Sequence, residues 1–350
     1  MHQPRNHEMD TQVSLVACVR LIVLGSLMWS LTATSVLSTH AVAEDLIGMT
    51  IDERVSELTI LYNHQPILVY AFSASHPKPY IKQLHTMSGW NVLTDAPADH
   101  SHHHGVMYGV QVNGHNFWQE PPDAGIQQSV RIQGRRAVTR KNGVAEAGFI
   151  HVINWVAADD RGSTDGQKAL LQERRRITAR VDPVNREVAV EWQATFVVGS
   201  RNVVLTGDNY NGLGVRPARE FDLMAVHSNS EQTLELRGTE QNLSRAQWSA
   251  ITLKRPSRQA TVALFGDPVN TRGPSVFFTM NNPFAYISAT QALDKTPLEY
   301  AAGAAFDLNF LVTTYDAVKS AMYLNDRAGQ WLKQRRSGNA PKAKKPATTN

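Results

Sequence analysis

The strongest constraint on the fold lies in residues 147–192. Residues 147–157 form a β-branched and aromatic run, closed by Asp159-Asp160-Arg161-Gly162. Residues 168–180 then alternate, with Leu171, Glu173, Arg175 and Ile177 two positions apart. Asp182-Pro183-Val184-Asn185 turns the chain into Glu187-Val188-Ala189-Val190-Glu191-Trp192. A period of two puts successive side chains on opposite faces of a strand, so this stretch predicts a meander of long antiparallel strands.

Shorter runs repeat the pattern. Leu58-Thr59-Ile60-Leu61-Tyr62 and Ile67-Leu68-Val69-Tyr70-Ala71-Phe72 flank Asn63-His64-Gln65-Pro66, a hairpin pattern. The run 105–112 ends at Asn113-Gly114, the strongest short hairpin signal. Apolar runs at 203–205, 260–265, 276–279 and 306–312 add strands. A helix is expected over residues 315–334, where Val318, Ala321, Met322, Leu324, Ala328, Trp331 and Leu332 give an imperfect apolar stripe. The expectation is an all-β chain: one large antiparallel β-sandwich domain over residues 44–332 with a C-terminal helix.

The two ends read differently. Residues 21–38 are an apolar, Ser/Thr-diluted run after Arg20, and Ala41-Val42-Ala43 precedes Glu44. This is a signal-peptide pattern over residues 1–43, implying export with no stable membrane insertion after cleavage. The single cysteine, Cys18, lies inside that segment, so the mature chain would hold no disulfide, cysteine nucleophile or thiolate ligand. From Lys333 onward the tail KQRRSGNAPKAKKPATTN carries basic residues and no acids, and predicts a disordered arm. The formal net charge of +4 stems from this tail, so a nucleic-acid partner is not implied.

The densest chemistry is Asp99-His100-Ser101-His102-His103-His104-Gly105. In an extended segment His100, His102 and His104 would share one face. That spacing suits a zinc or copper ion, with His100 and His102 as ligands and His104 as a further candidate. Imidazoles also serve as acid or base near neutral pH. A second candidate, residues 208–216, presents Asp208, Tyr210, Asn211 and Arg216 around Gly212 and Gly214. These groups hydrogen-bond sugars, carboxylates or phosphates. Glu173 is either part of a solvated, ion-paired sheet face or a carboxylate opposite the histidines. Trp90, Trp118 and Trp248 offer aromatic faces for sugar rings, with Trp118-Gln119-Glu120 best placed. Nucleophile-elbow, P-loop and His-Glu-x-x-His motifs are absent.

Lys78-Pro79-Tyr80, the segment 97–105, Asn113-Gly114-His115-Asn116-Phe117-Trp118, Tyr210-Asn211-Gly212-Leu213-Gly214-Val215-Arg216 and Asn270-Thr271-Arg272-Gly273-Pro274 resemble bacterial proteins labelled "methane oxygenase PmoA-like". In that family an arginine often stands where this chain has His104. The resemblance implies a large sandwich of the galactose-mutarotase-like kind and a setting of bacterial carbohydrate catabolism. It does not imply methane oxidation, which belongs to an integral membrane complex.

The leading expectation is a periplasmic carbohydrate-active enzyme performing epimerisation, elimination or hydrolysis on a sugar or glycoside. His102 or His103 would be acid or base, and His100 and Arg216 would polarise or anchor the substrate. Asp99 would orient a histidine, Glu173 would be a partner carboxylate, and Asp99, Trp118, Glu120, Tyr210 and Asn211 would bind substrate. The alternatives are a His-ligated divalent-metal enzyme and a non-catalytic glycan-binding module.

Overall fold

A computed structural model describes residues 48–139, 144–161 and 168–339. The expected signal segment and the last eleven residues of the basic tail lie outside them. The chain is all-β and antiparallel, with one C-terminal helix, as the strand pattern implied.

Two nine-stranded sheets face each other. The front sheet runs in the order Met49–Glu53, Glu57–Tyr62, Gln65–Ala71, Tyr80–Leu84, Val106–Gly109, Gly212–Val215, Tyr286–Thr290, Val276–Met280, Gln241–Arg245. The back sheet runs Thr233–Leu234, Val226–Asn229, Trp248–Arg255, Arg258–Gly266, Ala305–Tyr315, Glu187–Val198, Leu171–Asp182, Ala145–Val156, Ile126–Thr139. A small four-stranded sheet holds Leu298–Tyr300, Val203–Thr206, Gln111–Val112 and His115–Asn116.

The turns follow their local chemistry. Asn63 and His64 have φ of 48° and 63°, and Asn113 and Gly114 have φ of 50° and 81°. Two successive positive φ values match the right-handed twist of a hairpin, which is why Asn and Gly stand there. Asp182 Oδ1 accepts the backbone N–H groups of Val184 and Asn185 at 3.1 and 3.2 Å, fixing the turn between the strands Leu171–Asp182 and Glu187–Val198.

Alternation divides each sheet between two environments. Tyr70, Tyr108, Phe277 and Ile287 of the front sheet, and Ile177, Trp192, Leu264 and Phe310 of the back sheet, form the core between the sheets. Their neighbours point outward. On the back sheet Ala189, Ala263, Phe265 and Leu311 meet Leu324, Ala328 and Trp331 of the helix. On the front sheet Ala71, Tyr80, Met107, Phe278 and Tyr286 form a separate apolar cluster with Trp118 and Phe284.

Three expectations change. The helix spans Ala321–Asn339, because residues up to Tyr315 complete a central strand paired on both sides. Residues 333–339, expected as disordered tail, are its last turns. The strand Ile126–Thr139 went unseen: Gln127, Gln128, Arg131, Gln133, Arg135 and Arg136 are the polar residues of an edge strand, so no apolar alternation marks it.

Candidate functional site

The histidine segment caps the outer face of the front sheet. It is a pair of turns and not an extended strand: the His100 N–H donates to Pro97 O and the His103 N–H to His100 O, both at 2.9 Å. The turns redistribute the four rings. His100, His102 and His103 lie together, with centroids 4.8 Å apart for His100–His103, 4.5 Å for His102–His103 and 5.9 Å for His100–His102. His104 points elsewhere, so the expected shared face of His100, His102 and His104 does not form.

The three grouped imidazoles border a cavity of about 270 Å³. Its other walls are Trp118, Gln119, Tyr210, Gln241, Phe278, Met280, Pro283, Phe284 and Tyr286. His103 lies flat over Tyr286 at 5.6 Å and meets the Phe284 ring edge-on at 5.1 Å. Trp118 is held by Asn116, whose Oδ1 accepts the backbone N–H groups of Trp118 and Gln119 at 2.8 and 2.9 Å. Tyr210 stands 5.8 Å from Trp118, and its hydroxyl donates to Asp208 at 3.0 Å. Burial, then Asp208, pushes that phenol up to about 12. Gly214 lies beneath: a Cβ there would fall 2.1 Å from the Tyr286 hydroxyl and 2.9 Å from Trp118. Only glycine leaves room for both rings.

Burial, reinforced by His102, His100, Arg216 and Lys78, drives the His103 imidazole down to about 2, so it is neutral at any physiological pH. Among the described residues its Nδ1 has no hydrogen-bond partner, and neither has the Trp118 indole N–H. His102 is also lowered, by burial first and then by Lys78 and His100, which keeps it neutral and able to accept a proton. His100 Nδ1 pairs with Asp99 Oδ2 at 3.2 Å.

His104 belongs to a buried charged chain behind this cavity. Its Nδ1 lies 2.7 Å from Asp95 Oδ1 and its Nε2 3.0 Å from Glu120 Oε1, each within hydrogen-bond reach of a carboxylate. Its ring stacks 3.8 Å over Tyr80. Lys78, only 1% exposed, donates to the same Glu120 oxygen at 2.6 Å. Burial would raise the Glu120 carboxyl, but His104 and Lys78 together outweigh it and hold it at about 2. Burial lowers Lys78 against the pull of Glu120.

Several expected site residues lie elsewhere. Arg216 does not line the cavity: it is 1% exposed, donates to Asp222 at 3.1 Å and Ala285 O at 2.8 Å, and sits 4.0 Å over Phe284. It positions Phe284. Glu173 is neither solvated nor opposite the histidines. It is buried between the sheets, held by Arg175 at 2.7 and 2.8 Å and by the Trp155 indole at 2.9 Å. Glu120 is taken by His104 and Lys78, and Asn211 is buried where its Oδ1 accepts the Asp208 N–H at 2.9 Å. Trp90 stacks on Phe221, and Trp248 lies under the helix. Among the described residues no group of three His, Cys, Asp or Glu side chains is placed to hold a metal ion.

The cavity residues missed by sequence reasoning are Gln241, Phe278, Met280, Pro283, Phe284 and Tyr286. Phe278 and Tyr286 carried a signal, since each alternates with a core residue, Phe277 and Ile287.

A family model described as a family of unknown function (DUF6807) matches residues 57–328, and the chain belongs to that family. No curated protein matches it. Among solved structures, the GH36 alpha-galactosidase AgaB from Geobacillus stearothermophilus is 12% identical with a TM-score of 0.45, over 77% of this chain and 41% of its own. A protein described as an aldose 1-epimerase from Klebsiella pneumoniae is 9% identical with a TM-score of 0.42, over 79% of this chain and 83% of its own. The chain thus spans about two fifths of the alpha-galactosidase it matches.

Proposed function

We propose that this member of a family without an assigned activity is an exported carbohydrate-active enzyme, and that its outer-face cavity performs histidine acid–base chemistry on a sugar. One observation carries the reading. Three imidazoles share a cavity walled by Trp118, Tyr210 and Phe284, so proton-transfer groups and ring-stacking surfaces meet on one ligand-sized space. His102 is the acid or base. His103, neutral and with a free Nδ1, accepts a hydrogen bond from a sugar hydroxyl. His100, oriented by Asp99, polarises the reacting group.

The reaction is epimerisation or elimination in preference to hydrolysis. Hydrolysis of a glycosidic bond usually employs two carboxylates flanking it. Among the described residues no carboxylate borders this cavity; the nearby Glu120 and Asp95 are bonded to Lys78, His104 and Tyr80, and Asp99 and Asp208 to His100 and Tyr210. Proton abstraction needs only a neutral base and a group that stabilises the resulting charge.

The test is a panel of sugars and glycans assayed with wild type, His102→Gln and His103→Gln. Loss of turnover by about a hundredfold in the His102 variant is expected from removal of a general base. Equal turnover in all three proteins would overturn the assignment. Export has its own test: the mature protein recovered from the periplasm should begin at Glu44.

A further inference from the structure

The histidine cavity has a neighbour. A second, more open cavity of about 440 Å³ is bordered by Gln232, Thr233, Glu235, Glu240, Gln241 and Asn242, among others. Gln241 borders both spaces. It begins the edge strand Gln241–Arg245, where it pairs with Met280, itself a wall of the histidine cavity. The two spaces therefore share a wall at the end of the front sheet.

Their walls differ in kind. The first offers aromatic rings and imidazoles, which suit the flat apolar face and hydroxyls of a single sugar ring. The second offers amides, a hydroxyl and carboxylates, acceptors and donors for hydroxyl groups in a wet cleft. Its two charged walls, Glu235 and Glu240, are both negative, which disfavours an anionic chain.

From the shared wall at Gln241 we infer that the ligand is a neutral oligosaccharide, one unit in the histidine cavity and the next lying across Gln241 into the polar cleft. The inference rests on the carbohydrate reading and specifies chain length and charge. A ligand bound at both places gains the contacts of the second without a second loss of translational freedom.

Calorimetric titration of the full chain separates the two ideas. The probes are glucose, galactose and mannose, their neutral β-1,4-linked dimers to tetramers, and oligogalacturonate as the acidic control. A neutral dimer or trimer should bind at least tenfold tighter than its monomer, and oligogalacturonate no tighter than a monomer. Glu235→Lys and Gln232→Ala change exposed residues of the polar cleft alone. Each should reduce the gain from chain length at least threefold and leave monosaccharide affinity unchanged. Equal affinity for monomer and oligomer, a gain untouched by both variants, or preference for the acidic chain would overturn the inference while the carbohydrate site stands. Failure of every saccharide to bind would remove the carbohydrate reading itself.

Discussion

On the outer face of the back sheet, Trp248, Phe265, Leu311 and Tyr315 lie beneath Leu324, Ala328 and Trp331. On the outer face of the front sheet, Tyr80, Phe278, Tyr286 and Trp118 lie beneath turns that leave a cavity. Each face buries a tryptophan. The Trp248 indole N–H donates to Asn325 of the covering helix at 2.7 Å, whereas that of Trp118 has no partner among the described residues. The helix covers its own side, although the Trp331 indole N–H and Arg327 Nη1 there also lack a partner among the described residues. What sets the histidine side apart is that its unpartnered His103 Nδ1 belongs to a ring that borders a cavity, and unmet polar groups beside a cavity mark a functional site.

The largest expected effect breaks the sealed face. Trp331→Ala removes the helix anchor, and denaturant unfolding should show a loss of about 3–5 kcal/mol. Ligand affinity of the folded fraction should not move, because the helix lies on the opposite sheet. Next is His103→Phe, which replaces an unpartnered imidazole with a ring of similar shape. Turnover should fall about tenfold, the worth of one hydrogen bond, while stability shifts by less than about 1.5 kcal/mol in either direction. A large loss of stability with full turnover would make His103 a core residue.

The third effect is a pH dependence common to buried, neutral histidines. His103, His151 and His227 are held by burial at about 2, 3 and 4, below the unfolded value of 6.5. The unfolded chain therefore binds more protons below pH 6.5. Their contribution is whole above that pH and is lost as pH falls toward the folded values, by up to about 1.4 kcal/mol per unit for each. Melting temperature should drop between pH 7 and 5, and less steeply in His103→Phe. The smallest effect is Trp118→Phe, which keeps the apolar wall and deletes the indole N–H. Sugar affinity should weaken by up to about tenfold, the worth of one hydrogen bond, with stability changed by less than about 1 kcal/mol.

The same contrast shows what a sequence makes legible. Period-two alternation located the central strands, because an apolar core between two sheets demands it. It did not say which face of 171–177 was inside. Leu171 and Ile177 share the phase of Glu173 and Arg175, and that shared phase was the sign that the charged pair is buried. The histidine cluster was legible as chemistry, but its geometry was set by two turns that sequence alternation cannot describe. Phe284 and Gln241 reach the cavity through tertiary pairing alone, from positions far along the chain.

The place of the strand Ala305–Tyr315 has a consequence for biosynthesis. It lies between Glu187–Val198 and Arg258–Gly266 in the middle of the back sheet. Until it leaves the ribosome the back sheet is two unjoined pieces, each with an open edge and an uncovered apolar face. The sealing helix is made later still. Such distant pairing delays completion of the fold until nearly the whole chain exists. A prematurely terminated chain would display both open edges, marking it for proteases before it could reach a working state.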